Sequence, residues 1–434
     1  MPSRVGAKLH RTETTTPAAV TGALKSFVFA ALTLFAMTVG VSAEEAAATA
    51  NDLNAPALVP AKMRKFTDRA IPHFKVDAAW PTMPDDYVLG QVSGLAVDGE
   101  DNVWLLQRPN SLRFSDTGAD QNPPIAICCK AAPHVMQFSP AGRYLQGWGG
   151  PSITPRINGR PVWPETVHGL FADSDGTIWI GGNGDDDHAV LNFTADGTFI
   201  RAVGQRGRTD GNFSTEFLGN PADIDRDPKT GALLIADGYI NKRVVAADGQ
   251  GNIKRIWGAY GVTPDGETRA GAFDQSQASS TADGGANPSS RQFGDIVHCV
   301  VGGPRGRIYV CDRRNNRIQV FESVARPKAE GESASITFLQ DIVIAPATGG
   351  TRTVSDVAFS PDGTFMYVAD MMNGQVWILD AQTYEPLGAV GRNGTYPGQF
   401  IWLHSVAADS RGDIYTAEVA TGRRVQKFVF DGVR

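Results

Sequence analysis

The chain lacks a basic excess: 40 Lys and Arg stand against 46 Asp and Glu, a net charge of −6 over 434 residues. That removes the basic face that nucleic acid or an anionic membrane surface selects. Past residue 41 no apolar run is long enough to span a bilayer, which takes roughly 20 residues. Cysteine is scarce, with Cys128, Cys129, Cys299 and Cys311 the only four, and no CxxC pair builds a zinc knuckle. Cys299 and Cys311 fall in consecutive expected strands and can face each other in one hairpin, whereas no pairing follows for the adjacent Cys128 and Cys129. Histidine is also sparse, at seven residues, so any register among the histidines carries information.

Glycine (48) and proline (26) are plentiful, and the chain is 42% hydrophobic, the balance of a turn-rich globular protein. Arg4, Lys8, Arg11 and Lys25 precede an apolar run at 27–41, and Val41-Ser42-Ala43 fits the small-residue cleavage rule. Residues 1–43 are therefore expected to be a signal peptide that sends the protein to the periplasm or the medium, where disulfides persist. The Ala-rich residues 44–62 are expected to be a flexible lead-in, and 63–434 the folded domain.

That domain repeats itself. Six segments share a short apolar strand, an Asp-Gly-type turn, a second apolar strand and a third: VSGLAVDGEDNVWLLQR from Val92, VHGLFADSDGTIWIGGN from Val167, PADIDRDPKTGALLIADGY from Pro221, VHCVVGGPRGRIYVCDRRNNRIQVF from Val297, VSDVAFSPDGTFMYVADMMNGQVWIL from Val354 and LHSVAADSRGDIYTAEVATGRRVQKF from Leu403. A repeat of about 40–50 residues holding four strands is a propeller blade. The expected fold is all-β, a six-bladed β-propeller. Its last blade stops after three strands near Phe430, and FKVDAAW at 74–80 supplies the missing outer strand and closes the ring. Residues 262–291 read as a long loop between blades 3 and 4, and 326–336 as an exposed hairpin insert.

One position in the first strand of each blade is occupied in turn by Ser93, His168, Ala222, His298, Ser355 and His404. First strands line the axis, so equivalent positions on alternate blades lie about 120° apart. Three imidazoles then converge, with small residues between them. Three neutral imidazoles with a fourth position open suit zinc, and also other transition metals. His10, His73 and His134 share no register, and His188, after Asp185-Asp186-Asp187, reads as part of a solvated turn.

The end of each second strand returns to the histidine face. It brings Arg108, Asp237-Gly238-Tyr239, Asp312-Arg313, Asp370 and Glu418 there. Arginine grips a carboxylate with a two-point fork, and a phenol beside a metal and a guanidinium acts as a base. The recurring NxR triplets, Asn241-Lys242-Arg243 and Asn315-Asn316-Arg317, are expected to hold blades together rather than to do chemistry.

These blade segments resemble NHL repeats, and the constellation resembles the peptidyl-α-hydroxyglycine α-amidating lyase domain of peptide-amidating enzymes. The matching motifs are VHGL, VHCV and LHSV around the three histidines, DGY with Asn241 to Arg243, Arg108 downstream of QVSG, and Arg313 after Cys311-Asp312. The resemblance implies a zinc held by His168, His298 and His404, Tyr239 as catalytic base, and Arg108 and Arg313 as catalytic and carboxylate-binding groups. It implies a small-molecule or peptide substrate that is cleaved at a C–N bond to an amide and glyoxylate. The family also binds calcium through two backbone carbonyls, matching Leu95 and Leu170, and an Asp where this chain has Ser405, so at most a weak calcium site is implied. Ile240 stands where the family has a cysteine beside the tyrosine, and no monooxygenase domain is present in this sequence. The competing expectations are a non-catalytic scaffold for peptide or glycan, and a metal-dependent propeller hydrolase.

Overall fold

The computed structural model describes residues 58–264, 289–294, 296–324, 335–348 and 352–434. The expected signal peptide, residues 44–57 of the lead-in, most of the 262–291 loop and most of the 326–336 insert lie outside these residues.

Each repeat folds as an antiparallel sheet whose strands run outward in chain order. Blade 1 comprises Gln91–Val97, Val103–Arg108, Val135–Phe138 and Tyr144–Trp148, and blade 2 comprises Val167–Ala172, Thr177–Gly182, Ala189–Thr194 and Phe199–Gly204. Blade 3 spans Pro221–Arg226 to Ile253–Trp257 and blade 4 spans Val297–Gly303 to Ile336–Val343. Blade 5 begins at Asp356–Phe359 and blade 6 at Leu403–Ala408. The six first strands pack side by side in sequence, and the last returns to the first, which closes the ring.

Burial follows from this layering. Second and third strands are covered on both faces and read as continuous apolar runs: Leu233–Asp237 and Arg243–Ala247 are buried throughout. The outermost strands alternate, as in Ile336–Val343, because one face meets solvent. Six apolar clusters form, one between each pair of neighbouring blades, such as Trp104, Leu106, Ile178 and Ile180 between blades 1 and 2. The hairpin turns fall where Asp and Gly were placed by sequence. Gly176 (φ +82°) and Gly363 (φ +67°) take the left-handed conformation those turns require.

Pro72–Asp77 pairs antiparallel with the third strand of blade 6, Val425–Val433, and is the fourth strand of that blade, as the 74–80 segment suggested. The start of the domain differs from expectation. Leu58–Pro60, read as flexible lead-in, pairs outside Pro72–Asp77 (Leu58 opposite Asp77), and Met63–Lys65 pairs with Pro386–Val390 of blade 5. The outer edges of these two blades would otherwise present unpaired N–H and C=O groups. Strands of three residues, largely exposed, leave no periodic trace in the sequence. Cys299 and Cys311 sit directly opposite each other on the first two strands of blade 4 and form a disulfide, and Cys128 is bonded to Cys129. Among the described residues no helix is long and apolar enough to cross a membrane.

Candidate metal centre and its pocket

The histidine position is a break in the strand ladder. Pairing between first and second strands shifts register between Val167 and Leu170, between Val297 and Cys299, and between Leu403 and Ser405. The same shift recurs in blades 1 and 3 at Ser93 and Ala222. A bulge re-aims the side chain it carries. Here it turns one residue per blade toward the axis.

His168, His298 and His404 converge. One ligand nitrogen from each lies within 4.8 Å of the others, and the ring centroids are 4.8–5.0 Å apart. The small residues between them set their orientation. His168 Nδ1 lies 2.7 Å from the carbonyl oxygen of Ala222, and His298 Nδ1 lies 2.6 Å from that of Ser355. His404 hydrogen-bonds the backbone of Ser93, with Ser405 Oγ at 3.3 Å. Each histidine thus donates to the same repeat position one blade on. The intervening serines continue the ring: Ser93 Oγ donates to Val167 O at 3.0 Å and Ser355 Oγ to Leu403 O at 3.1 Å.

With Nδ1–H committed to a carbonyl, Nε2 is left as a lone-pair donor, the form a metal needs. His298 Nε2 is buried with no hydrogen-bond partner among the described residues. A buried polar atom without a partner is costly, and a cation at the convergence point satisfies it. Burial first, then nearby positive charge, holds all three histidines well below their usual protonation range: His404 and Arg108 act on His168, Arg313 and the other two imidazoles on His298, and Arg108 and Arg313 on His404. The residues present therefore fit a metal held by three histidines.

The second ring also has a register. Gln107, Gly182, Asp237, Asp312 and Glu418 pair with the residue before the histidine position. Most of these groups are clasps. Asp237 accepts from Asn241 and Arg243 at 2.8 Å each, Asp312 from Asn315 at 2.9 Å and Arg317 at 2.8 Å, and Glu418 from Arg424 at 2.5 Å. Asp370 likewise binds Asn373 and Trp377. The NxR triplets thus lock loops, and these carboxylates do not reach the pocket. The residues just after the clasps do. Arg108, Tyr239, Arg313, Met371 and Val419 line one pocket with His168, His404, Arg352 and Trp402.

Tyr239 is buried, and its hydroxyl lies 2.7 Å from His168 Nε2. Since Nδ1 of that ring is the donor to Ala222, the phenol donates to the Nε2 lone pair that a metal would take over. Arg108 donates to Val167 O (2.8 Å), Gln91 Oε1 (3.1 Å) and Asn183 Oδ1 (3.3 Å), all uncharged acceptors. Burial pushes its guanidinium below its usual range, partly offset by Tyr239 and Asp187. Arg313 is buried.

Sequence reasoning missed Met371, Val419, Arg352 and Trp402. The first two stand at the repeat position of Arg108 and Arg313, and a register fixed by the clasps finds them. Trp402 and Arg352 sit in inter-blade loops where no repeat applies. The 185–188 turn is also corrected: Asp187 and His188 are buried, and Asp187 accepts from the N–H groups of Glu165 (2.8 Å), Thr166 (2.9 Å) and Gly184 (2.8 Å). Three backbone donors draw the carboxylate inward.

On the far side of the histidines the axis is lined by Leu95, Leu170 and Ser405, together with Asp223 and Asp356. These aspartates occupy the repeat position of Ser405 in blades 3 and 5. Each clasps the next blade: Asp223 accepts from Val300 N (3.1 Å) and Asp356 from Val406 N (3.0 Å). Burial raises both carboxyls, Asp356 to about 7.

The model of a family described as NHL repeat matches residues 298–321, and that of a two component regulator propeller matches 162–184. The protein is a six-bladed β-propeller that resembles NHL-repeat proteins. Human NHL repeat-containing protein 3 is 24% identical over 372 residues, covering 82% of this chain and 84% of that protein. Peptidyl-glycine alpha-amidating monooxygenase B of Xenopus laevis is 25% identical over 373 residues, covering 82% of this chain but 35% of that protein, so the chain spans about a third of that relative. The solved structure of a streptogramin B lyase superposes with a TM-score of 0.46 at 12% identity, covering 82% of this chain and 98% of that one. The chain thus resembles the lyase region of the amidating enzymes within the wider NHL-repeat propellers.

Proposed function

We propose that the protein is a metal-dependent carbon–nitrogen lyase that acts on an N-acyl or peptidyl α-hydroxyglycine and releases an amide and glyoxylate. The observation that carries this reading is the convergence of three oriented imidazoles, two of which, His168 and His404, line one pocket with the Tyr239 hydroxyl, Arg108 and Arg313. His168, His298 and His404 would hold the metal through Nε2, with zinc the metal that suits three histidines best. When bound, such an ion supplies a Lewis acid that polarises the substrate hydroxyl.

The chain's own groups do the rest. Arg108 or Arg313 forks the substrate carboxylate and fixes the carbon that bears the hydroxyl. Tyr239 oxygen takes the hydroxyl proton as its own phenol proton passes to the departing nitrogen. The freed O–H pair forms the C=O of glyoxylate, and the C–N pair leaves with the amide nitrogen, which receives one proton. Protons balance, so Tyr239 serves as a shuttle and no co-reactant is needed. The buried walls keep water from competing for that proton.

Two proposals accompany this reading. The protein works after export, with 1–43 removed. Calcium at Leu95, Leu170 and Ser405 is at most weak, because a serine replaces the charged ligand. A second reading is a binding propeller without chemistry: NHL repeat-containing protein 3 matches over as much of this chain, and its name carries no activity. Glyoxylate release from an α-hydroxyglycine peptide by zinc-loaded protein separates the two. The lyase reading expects turnover that falls about a hundredfold or more in Tyr239→Phe with metal content kept. Unchanged turnover in that variant removes Tyr239 from the mechanism, and no turnover at all favours the binding propeller.

A further inference from the structure

One wall of the pocket is left unused by the lyase reading. Trp402 lies two residues before His404, in the left-handed region at φ +58°. A bulky aromatic there is strained unless its surroundings fix it. Its carbonyl accepts from Val419 N–H at 3.1 Å, which pins the loop to blade 6. The guanidinium of Arg352 lies 5.4 Å from the Trp402 ring centroid, a cation–π contact that leaves its N–H edge for another partner. Arg352 has no carboxylate partner among the described residues, and Arg108 is held by uncharged acceptors only.

The pocket therefore holds more guanidinium charge than one carboxylate neutralises. One carboxylate fills one fork. A substrate with a single carboxylate leaves the half-buried Arg352, which lines the same pocket, without an anionic partner there.

We propose that Arg352, braced on Trp402, is a specificity-determining residue that pairs with a second anionic group of the substrate. The substrate class is then an N-acyl α-hydroxyglycine whose acyl part carries its own carboxylate. The position of that group on the acyl side rests on the lyase reading; the preference for a dianion does not.

Two measurements test this. The first is the ratio of kcat/KM for N-succinyl-α-hydroxyglycine over its neutral succinamoyl counterpart, on zinc-loaded wild type, Arg352→Gln and Arg352→Lys. A charge-assisted pair predicts a ratio of about tenfold or more in wild type, collapsing toward one in Arg352→Gln and partly restored in Arg352→Lys. The second is calorimetric binding of glutarate against its monoamide to the same proteins, with the same ratio expected. A binding ratio near one in wild type, or one unchanged in Arg352→Gln, overturns the proposal whatever the turnover. A preserved and Arg352-dependent binding ratio, with no glyoxylate from either substrate, upholds it and removes the lyase reading instead.

Discussion

The carbonyl oxygen of Ala222 sits 2.7 Å from Nδ1 of His168 and would lie 2.5 Å from a Cβ placed on Gly169. One backbone oxygen thus orients a metal-binding ring and forbids a side chain on the next residue. Hydrogen bonds of this kind fix the tautomer of a ligating histidine. A methyl group at 169 must push the Ala222 carbonyl away or tilt His168.

Gly169→Ala is therefore expected to lower metal affinity by about 10–100-fold while the fold persists. Competition with a chromophoric zinc chelator reads the affinity, and circular dichroism the fold. Unchanged affinity means the Ala222 contact does not control the ring.

His298→Ala removes the imidazole whose Nε2 has no hydrogen-bond partner among the described residues. Elemental mass spectrometry is expected to find about one transition metal per wild-type chain and close to none in the variant. Because burial keeps all three imidazoles neutral, protons compete poorly for their lone pairs, and loading should survive below the ordinary histidine range. Metal retained by His298→Ala would show that the site lies elsewhere.

The repeat made much of this legible. Residues in register across blades fall in one ring, so the three histidines, Tyr239, Arg108 and Arg313 could be placed together without coordinates. Other features had no repeat to betray them. The bulge that aims each histidine is a backbone irregularity, invisible in residue type. The clasp role of Asp237, Asp312 and Glu418 needed partners distant in sequence. Trp402 and Arg352 come from loops of unequal length, and Leu58–Pro60 is a strand because a blade edge needed covering, not because its residues favour one.

Cys299 and Cys311 join the strand that carries His298 to the strand that leads into Arg313, with a sequence separation of 12. Closing a loop of that size is expected to stabilise the fold by roughly 3 kcal/mol. The double variant Cys299→Ala/Cys311→Ala should lose about that much in urea unfolding, since both sulfurs are buried and the cavities left are small. It should also bind metal less tightly than wild type, because the hairpin beneath His298 is no longer cross-linked. Wild-type stability in the double variant would mean that the sheet alone fixes this hairpin.

Asp225 gives a pH signature separate from the metal centre. It lies along the axial channel of blade 3, and its Oδ2 accepts from Gly302 N at 2.8 Å in blade 4. Burial, with Asp173 adding to it, pushes the carboxyl up to about 7 from an ordinary 3.8. The folded state therefore binds this proton more tightly than the unfolded chain. Its contribution to stability is full below about pH 4 and is lost as pH rises through about 7. The histidines act in the opposite sense, since burial lowers them, so a bare stability profile mixes the two. Asp225→Asn isolates the acid: the amide keeps the shape and loses one acceptor, a cost that does not vary with pH. The stability of the variant relative to wild type should rise from about pH 4 to about pH 7 and level off above it in urea unfolding of metal-free protein. A difference that stays flat across that range would show the carboxylate ionised throughout, with the Gly302 and Arg226 N–H groups sufficient to hold its charge.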